Sequence, residues 1–198
     1  MTVEEYFRFE ETSPEKYEYV AGEVYAMSGV TRRHDRITTN VLVRLSLVAR
    51  PGPCDVLSAE VRVQVASDRY YHPDTTVSCT PFADSDIFVR DPCVAVEVTS
   101  PSTARIDRGE KLDAYRSIAS LRAYLIIDHR RRRVEHHSRN DRTGEWLREE
   151  IVGEGRVRVP CLDVQLTLDE IYERVELPSV SEPEPAVYAG ESHLDADE

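Results

Sequence analysis

The sequence predicts an α/β fold, a mixed β-sheet flanked by helices, with added N- and C-terminal hairpins. Three observations lead there. Residues 32–49 place Ile37, Val41, Leu45 and Val48 at helical spacing, and Leu42 and Val43 widen the apolar face. Val94 to Thr99 and Leu121 to Asp128 are short apolar runs of strand length. The order along the chain is helix, three strands, helix, strand, with a hairpin before and after.

Each element has a local reason. Thr2 to Phe9 reads as a short helix, with Thr2 as N-cap and Glu5 three residues on. Tyr17 to Met27 reads as a hairpin of strand-forming residues around an Ala21-Gly22 turn. Pro51-Gly52-Pro53 stops the 32–49 helix. Val56 to Val65 reads as one strand, alternating at Val61, Val63 and Val65, and Thr75 to Cys79 as a short one. Ser100-Pro101-Ser102-Thr103 breaks the chain and offers caps to a helix over about 104–118. Leu125-Ile126-Ile127 is apolar on both faces, so Leu121 to Asp128 should be central. Arg133 to Ser138 and Trp146 to Val152 form a following hairpin, and Thr167 to Val175 a last short helix.

Composition sets limits. The 198 residues suit one domain with a tail: a body over 1–175 and an acidic, disordered segment over 176–198. The net charge of −12 argues against a simple nucleic-acid coat. The charge is uneven, however. Seven acids and no Lys or Arg lie in 176–198, leaving −5 on the body. Residues 101–133 hold nine basic residues against four acids, and Arg130 to Arg133 sit at a turn where they could grip a backbone or merely aid solubility. No apolar run approaches the ~18 residues of a membrane span, and the N-terminus lacks a signal peptide's pattern. Cys54, Cys79, Cys93 and Cys161 form no C-x-x-C pair. The expectation is a cytoplasmic chain with reduced, mostly buried thiols and no zinc site.

Two acids stand out. Pro73-Asp74 opens one strand, and Glu97 lies among Val94, Ala95, Val96 and Val98 of the next. A carboxylate in so apolar a strand must be paired, hydrogen-bonded or metal-bound. On adjacent strands, Asp74 and Glu97 could share one Mg²⁺ or Mn²⁺, suited to phosphodiester hydrolysis. Taken singly, Pro-Asp is an ordinary turn and Glu97 a partner for an arginine.

Several blocks resemble the Uma-two family of restriction-type endonucleases, in the PD-(D/E)-x-K nuclease superfamily. They are Tyr17-Glu18-Tyr19-Val20-Ala21-Gly22-Glu23-Val24, Arg33-His34-Asp35-Arg36-Ile37, His72-Pro73-Asp74-Thr75-Thr76-Val77, Val96-Glu97-Val98-Thr99-Ser100-Pro101-Ser102-Thr103, Asp107-Arg108-Gly109-Glu110-Lys111-Leu112-Asp113-Ala114-Tyr115 and Tyr124-Leu125-Ile126-Ile127-Asp128. The resemblance implies a restriction-endonuclease-like core and metal-dependent DNA cleavage by Asp74, Glu97 and Lys111. It departs at Thr99, where the superfamily usually has lysine. In this family a lysine on the following helix is usual, and Lys111 takes that place, to orient water or stabilise phosphorane charge. The plainer reading is an Asp107–Lys111 surface pair worth ~0.3–0.5 kcal/mol.

Glu23, His34, Thr99 and Asp107 are possible supporting residues, and Arg105 and Arg108 possible DNA contacts. Glu23 could add a metal-facing carboxylate, and His34 could touch a phosphate or relay a proton. Ser100, Ser102 and Thr103 are cap candidates near a phosphate-friendly helix start. Cutting two strands needs two sites, so a homodimer is expected. The alternative is a catalytically inactive nuclease-fold module that binds DNA or another partner, for which Thr99 is the motive.

Overall fold

The computed structural model describes residues 1–27, 29–81, 83–99 and 103–178. Residues 179–198, most of the expected tail, lie outside this set, as do the cap candidates Ser100 and Ser102.

The chain begins with α1 (Val3–Thr12), closed by the expected capping box between Thr2 and Glu5. Strands β1 (Tyr17–Val20) and β2 (Glu23–Ala26) form the hairpin, with φ of 50° at Ala21 and 98° at Gly22. Helix α2 (Arg32–Ala49) has the predicted span and buries Ile37, Val41, Leu45 and Ala49. Val43 and Val48, expected on its apolar face, are exposed instead, because the buried stripe follows a strict i,i+4 row. The span 56–65 is not one strand. It divides into β3 (Asp55–Ser58) and β4 (Arg62–Ala66), which belong to different sheets.

The short β5 (Arg69–Tyr71) follows, then β6 (Thr75–Ser78), β7 (Phe88–Val89) and the fully buried β8 (Pro92–Thr99). The helix expected over 104–118 is broken at Gly109 into α3 (Ala104–Arg108) and α4 (Glu110–Ser117). A Cβ at Gly109 would stand 3.0 Å from the Arg105 carbonyl oxygen, so the close turn there favours glycine. Strand β9 (Ala123–Asp128) leads to the predicted hairpin of β10 (Arg133–Arg139) and β11 (Trp146–Val152). An unexpected second hairpin, β12 (Arg156–Val159) and β13 (Val164–Thr167), takes residues before the last helix. That helix, α5 (Leu168–Ile171), is shorter than the expected 167–175.

Six strands make the main sheet in the order β11-β10-β9-β8-β6-β3. It is mixed: β8 and β9 run parallel at its centre and every other pair is antiparallel. The N-terminal hairpin does not extend this sheet. It joins a separate five-stranded one, β2-β1-β5-β4-β7. One sheet was expected and three exist among the described residues, because strands as short as β5 and β7 carry little periodic signal.

The two faces of the main sheet differ. Val94, Val96 and Val98 of β8 pack with Ile37, Val41 and Leu45 of α2. Ala95, Tyr124 and Ile126 pack with Leu112 and Tyr115 of α4 and with Val63 and Tyr71 of the second sheet. By alternation Glu97 points to this second face.

The cysteines correct one expectation. Cys54 is bonded to Cys79, and Cys93 to Cys161. Cys54 and Cys79 flank the terminal Asp55–Ser78 pair of β3 and β6, so the sheet itself brings them together. No helix among the described residues is long and apolar enough to cross a membrane.

Candidate active site

Strand pairing builds the site. Strands β6 and β8 are antiparallel neighbours with Thr75 opposite Val96, so Asp74 arrives beside Glu97. The Val98 amide donates to Asp74 Oδ2 at 2.7 Å and fixes that carboxylate. His34, on the first turn of α2, holds its Nε2 3.3 Å from the same oxygen. Burial opposes charge on His34, yet the Asp74 carboxylate raises its pKa above the ordinary histidine value.

Helix α4 delivers Lys111 over the second face. Its Nζ lies 2.7 Å from Glu18 Oε1, 3.0 Å from Glu97 Oε1 and 3.8 Å from Asp107 Oδ1. Tyr115, one turn on, donates to Glu97 Oε1 at 3.3 Å. Lys111 is 7% exposed and Asp107 2%, so their i,i+4 contact is a buried pair and not a surface one. Burial works against the Lys111 charge, but Glu97, Glu18 and Asp107 outweigh it and push its pKa up.

Glu97 is short of positive charge. Burial pushes its pKa well up; Lys111 opposes this, while Asp107, Asp74 and Glu18 add to it. Three carboxyl groups thus surround one ammonium, with Asp74 beside Glu97, in a nearly closed setting. Such a donor set fits a hard divalent cation, which binds carboxylate oxygen and would balance the excess. Asp74 and Glu97 are the two acids suited to hold it. Glu18 and Asp107 contact Lys111, as Glu97 also does.

The remaining candidates fall outside this cluster. Glu23 is exposed on β2 and accepts a hydrogen bond from the Tyr25 hydroxyl at 2.6 Å. It shares a face with Glu18, since Val20 pairs with Glu23, but lies further along the hairpin at the sheet edge. Thr99 is buried, with Oγ1 3.2 Å from the Thr103 hydroxyl. Arg105 is exposed on α3. Arg108 is ion-paired with buried Glu135. In the arginine turn, Arg132 pairs with Asp169 and Arg133 with Glu150, while Arg131 is exposed.

Sequence reasoning missed Glu18 as a site residue. The Tyr17–Val24 block contained it, but an acid alternating with tyrosines looks like any half-exposed strand residue. A groove was missed as well. Arg32, Arg33, Arg36 and Arg174 line it, beside the helical turn that carries His34.

Comparison with known proteins gives the family and the fold. The Uma2 family, described as "Putative restriction endonuclease", matches residues 3–170. The chain belongs to the Uma2 family. Two relatives come from Synechocystis sp. PCC 6803. The uncharacterized protein slr1290 is 30% identical over 174 residues, 87% of this chain and 91% of that one. The uncharacterized protein sll1609 is 35% identical over 159 residues, 78% and 89% of the two chains. In fold, this Uma2 chain is similar to a crystal structure from Anabaena variabilis described as "a putative nuclease belonging to DUF820". The TM-score is 0.70 at 18% identity, covering 87% of this chain and 97% of that one. The mixed α/β fold expected from the sequence, with sheets flanked by helices, is therefore shared with that crystal structure.

Proposed function

We propose that this Uma2 protein is a metal-dependent endonuclease that hydrolyses DNA phosphodiester bonds. The observation that carries the proposal is the buried Glu97 carboxyl, with Asp74 beside it and the Lys111 ammonium 3.0 Å away. When bound by Asp74 and Glu97, Mg²⁺ or Mn²⁺ would supply a Lewis acid for the phosphoryl oxygens and an acidified water as nucleophile.

The chain's own residues do the rest. Lys111 directs its ammonium to the water or to charge developing on phosphorus. Glu18 and Asp107 hold Lys111, Tyr115 holds Glu97, and His34 with the Val98 amide holds Asp74. The lysine absent at Thr99 is thereby replaced from the helix. Arg32, Arg33, Arg36 and Arg174 offer a path for the phosphate backbone, and exposed Arg105 a further contact. A homodimer would present two such sites to a duplex.

The test uses supercoiled plasmid with Mg²⁺ or Mn²⁺. Nicked and linear products are expected, with none from Asp74→Ala, Glu97→Ala or Lys111→Ala proteins of unchanged circular dichroism. Full cutting by Glu97→Ala protein overturns the assignment. The second reading, a DNA-binding module without catalysis, is favoured by Thr99, which is buried beside Thr103. It predicts retained DNA binding with no cutting and no metal uptake.

A further inference from the structure

We infer that Cys54, Cys79, Cys93 and Cys161 form a second, separate metal site: a zinc centre of four thiolates in the reduced protein. The sulfurs of Cys79, Cys93 and Cys161 all lie within 4.8 Å of one another. Yet Cys79 is bonded to Cys54, and Cys93 to Cys161. The two disulfides therefore adjoin, with the Cys54 sulfur one bond beyond this trio.

The spacing suits the ion. Zinc bound to thiolate at about 2.3 Å in a tetrahedron sets its sulfurs roughly 3.8 Å apart. Small side-chain rotations would carry the cluster from one state to the other. The backbone is already in place. Cys54 precedes β3, Cys79 follows β6 and Cys93 lies near the start of β8, three adjacent strands of the main sheet. Cys161 comes from the short 3₁₀ turn between β12 and β13. Cys93 is 8% exposed and the others half-buried, as in closed structural sites.

The site is distinct from the carboxylate cluster in place and chemistry. Asp74 to Cys79 is one strand length, roughly 16 Å, so the cysteines sit at the opposite end of the sheet. Thiolates select soft zinc, whereas carboxylates suit magnesium and manganese. The absence of a C-x-x-C pair hid the site in the sequence, because each ligand comes from a different element. Zinc here would tie the β12–β13 hairpin to the main sheet.

The redox balance is simple. Each disulfide consumes one phosphine and one water, giving two thiols and one phosphine oxide. The four thiols then release four protons as the ion binds. In a reducing compartment cellular dithiols would do the same work.

The test takes the full chain, reduced by a phosphine, stripped by chelator and titrated with Co²⁺ under argon. One thiolate-bound equivalent should appear, marked by thiolate-to-cobalt charge-transfer absorption and tetrahedral d–d bands, and Zn²⁺ should displace it. Cys161→Ser, at a half-buried turn, should weaken uptake by at least about tenfold. Asp74→Ala should leave the cobalt spectrum unchanged. Reduced protein that keeps its circular dichroism but shows no such absorption overturns the inference. So does an unchanged spectrum in Cys161→Ser protein.

Discussion

Glu97 and Glu135 are two buried glutamates with opposite surroundings. Glu97 on β8 and Glu135 on β10 both pair with Ile126 of the intervening β9. They therefore lie in one row on one face of the sheet, roughly 10 Å apart. Glu135 is met by Arg108, Arg133 and Arg148. Burial works against its charge, but Arg108 and Arg148 outweigh this and hold its pKa below the usual carboxylate range. Glu97 has one ammonium and three further acids, and its pKa moves up. Glu135 is satisfied by its own protein. Glu97 is left short of positive charge, which in the proposed function a divalent cation would supply.

Removing the single ammonium should have the largest effect. Lys111→Met should abolish cutting and lower stability by about 3–5 kcal/mol, as measured by denaturant unfolding. Lys111→Arg should keep much of the stability but little of the activity, since a planar guanidinium does not replace a compact ammonium. Next comes Glu97→Gln. It should reduce DNA cleavage by about 10²-fold or more while leaving metal-free stability unchanged or higher, because a strained charge is gone. Glu135→Gln should do the reverse, lowering stability by about 1–3 kcal/mol with metal uptake intact.

The smallest effect, and the sharpest in sign, is the response to pH. Glu97 has a folded pKa above its ordinary 4.5. Its contribution is full below 4.5 and is lost as pH rises through the raised value. Glu135 has a folded pKa below 4.5, so its contribution is present above 4.5 and is lost as pH falls through the lowered value. Burial also lowers His137 to about 4, so its contribution is lost as pH falls from 6.5 through about 4. Thermal melts of metal-free protein across pH should therefore lose stability on both sides. Glu97→Gln should reduce the alkaline loss and leave the share due to His34, whose folded pKa is raised above 6.5.

The contrast between the glutamates was half legible in the sequence. Glu97 declared itself, because an acid inside Val94–Thr99 has no cheap explanation. Lys111 stood out as one of only two lysines in the chain. Asp74 followed from the strand order. Glu135 sits among Arg133, His136 and His137, where an acid looks like any polar strand residue. Its burial arises only when β9, β11 and α3 close around it. Glu18 was hidden for the same reason, since its contact with Lys111 spans 93 positions, 18 to 111, and joins the second sheet to α4. The main sheet was legible wherever apolar runs were long. The second sheet was not, because β5 and β7 are three and two residues long.

Calorimetric titration with Mn²⁺ tests the difference between the two acids most directly. It compares the disulfide-intact wild-type, Glu97→Gln and Glu135→Gln proteins. Uptake by the wild-type and Glu135→Gln proteins, with none by Glu97→Gln, is the predicted result. Equal uptake by all three, or none by the wild type, would contradict a metal-seeking role for Glu97.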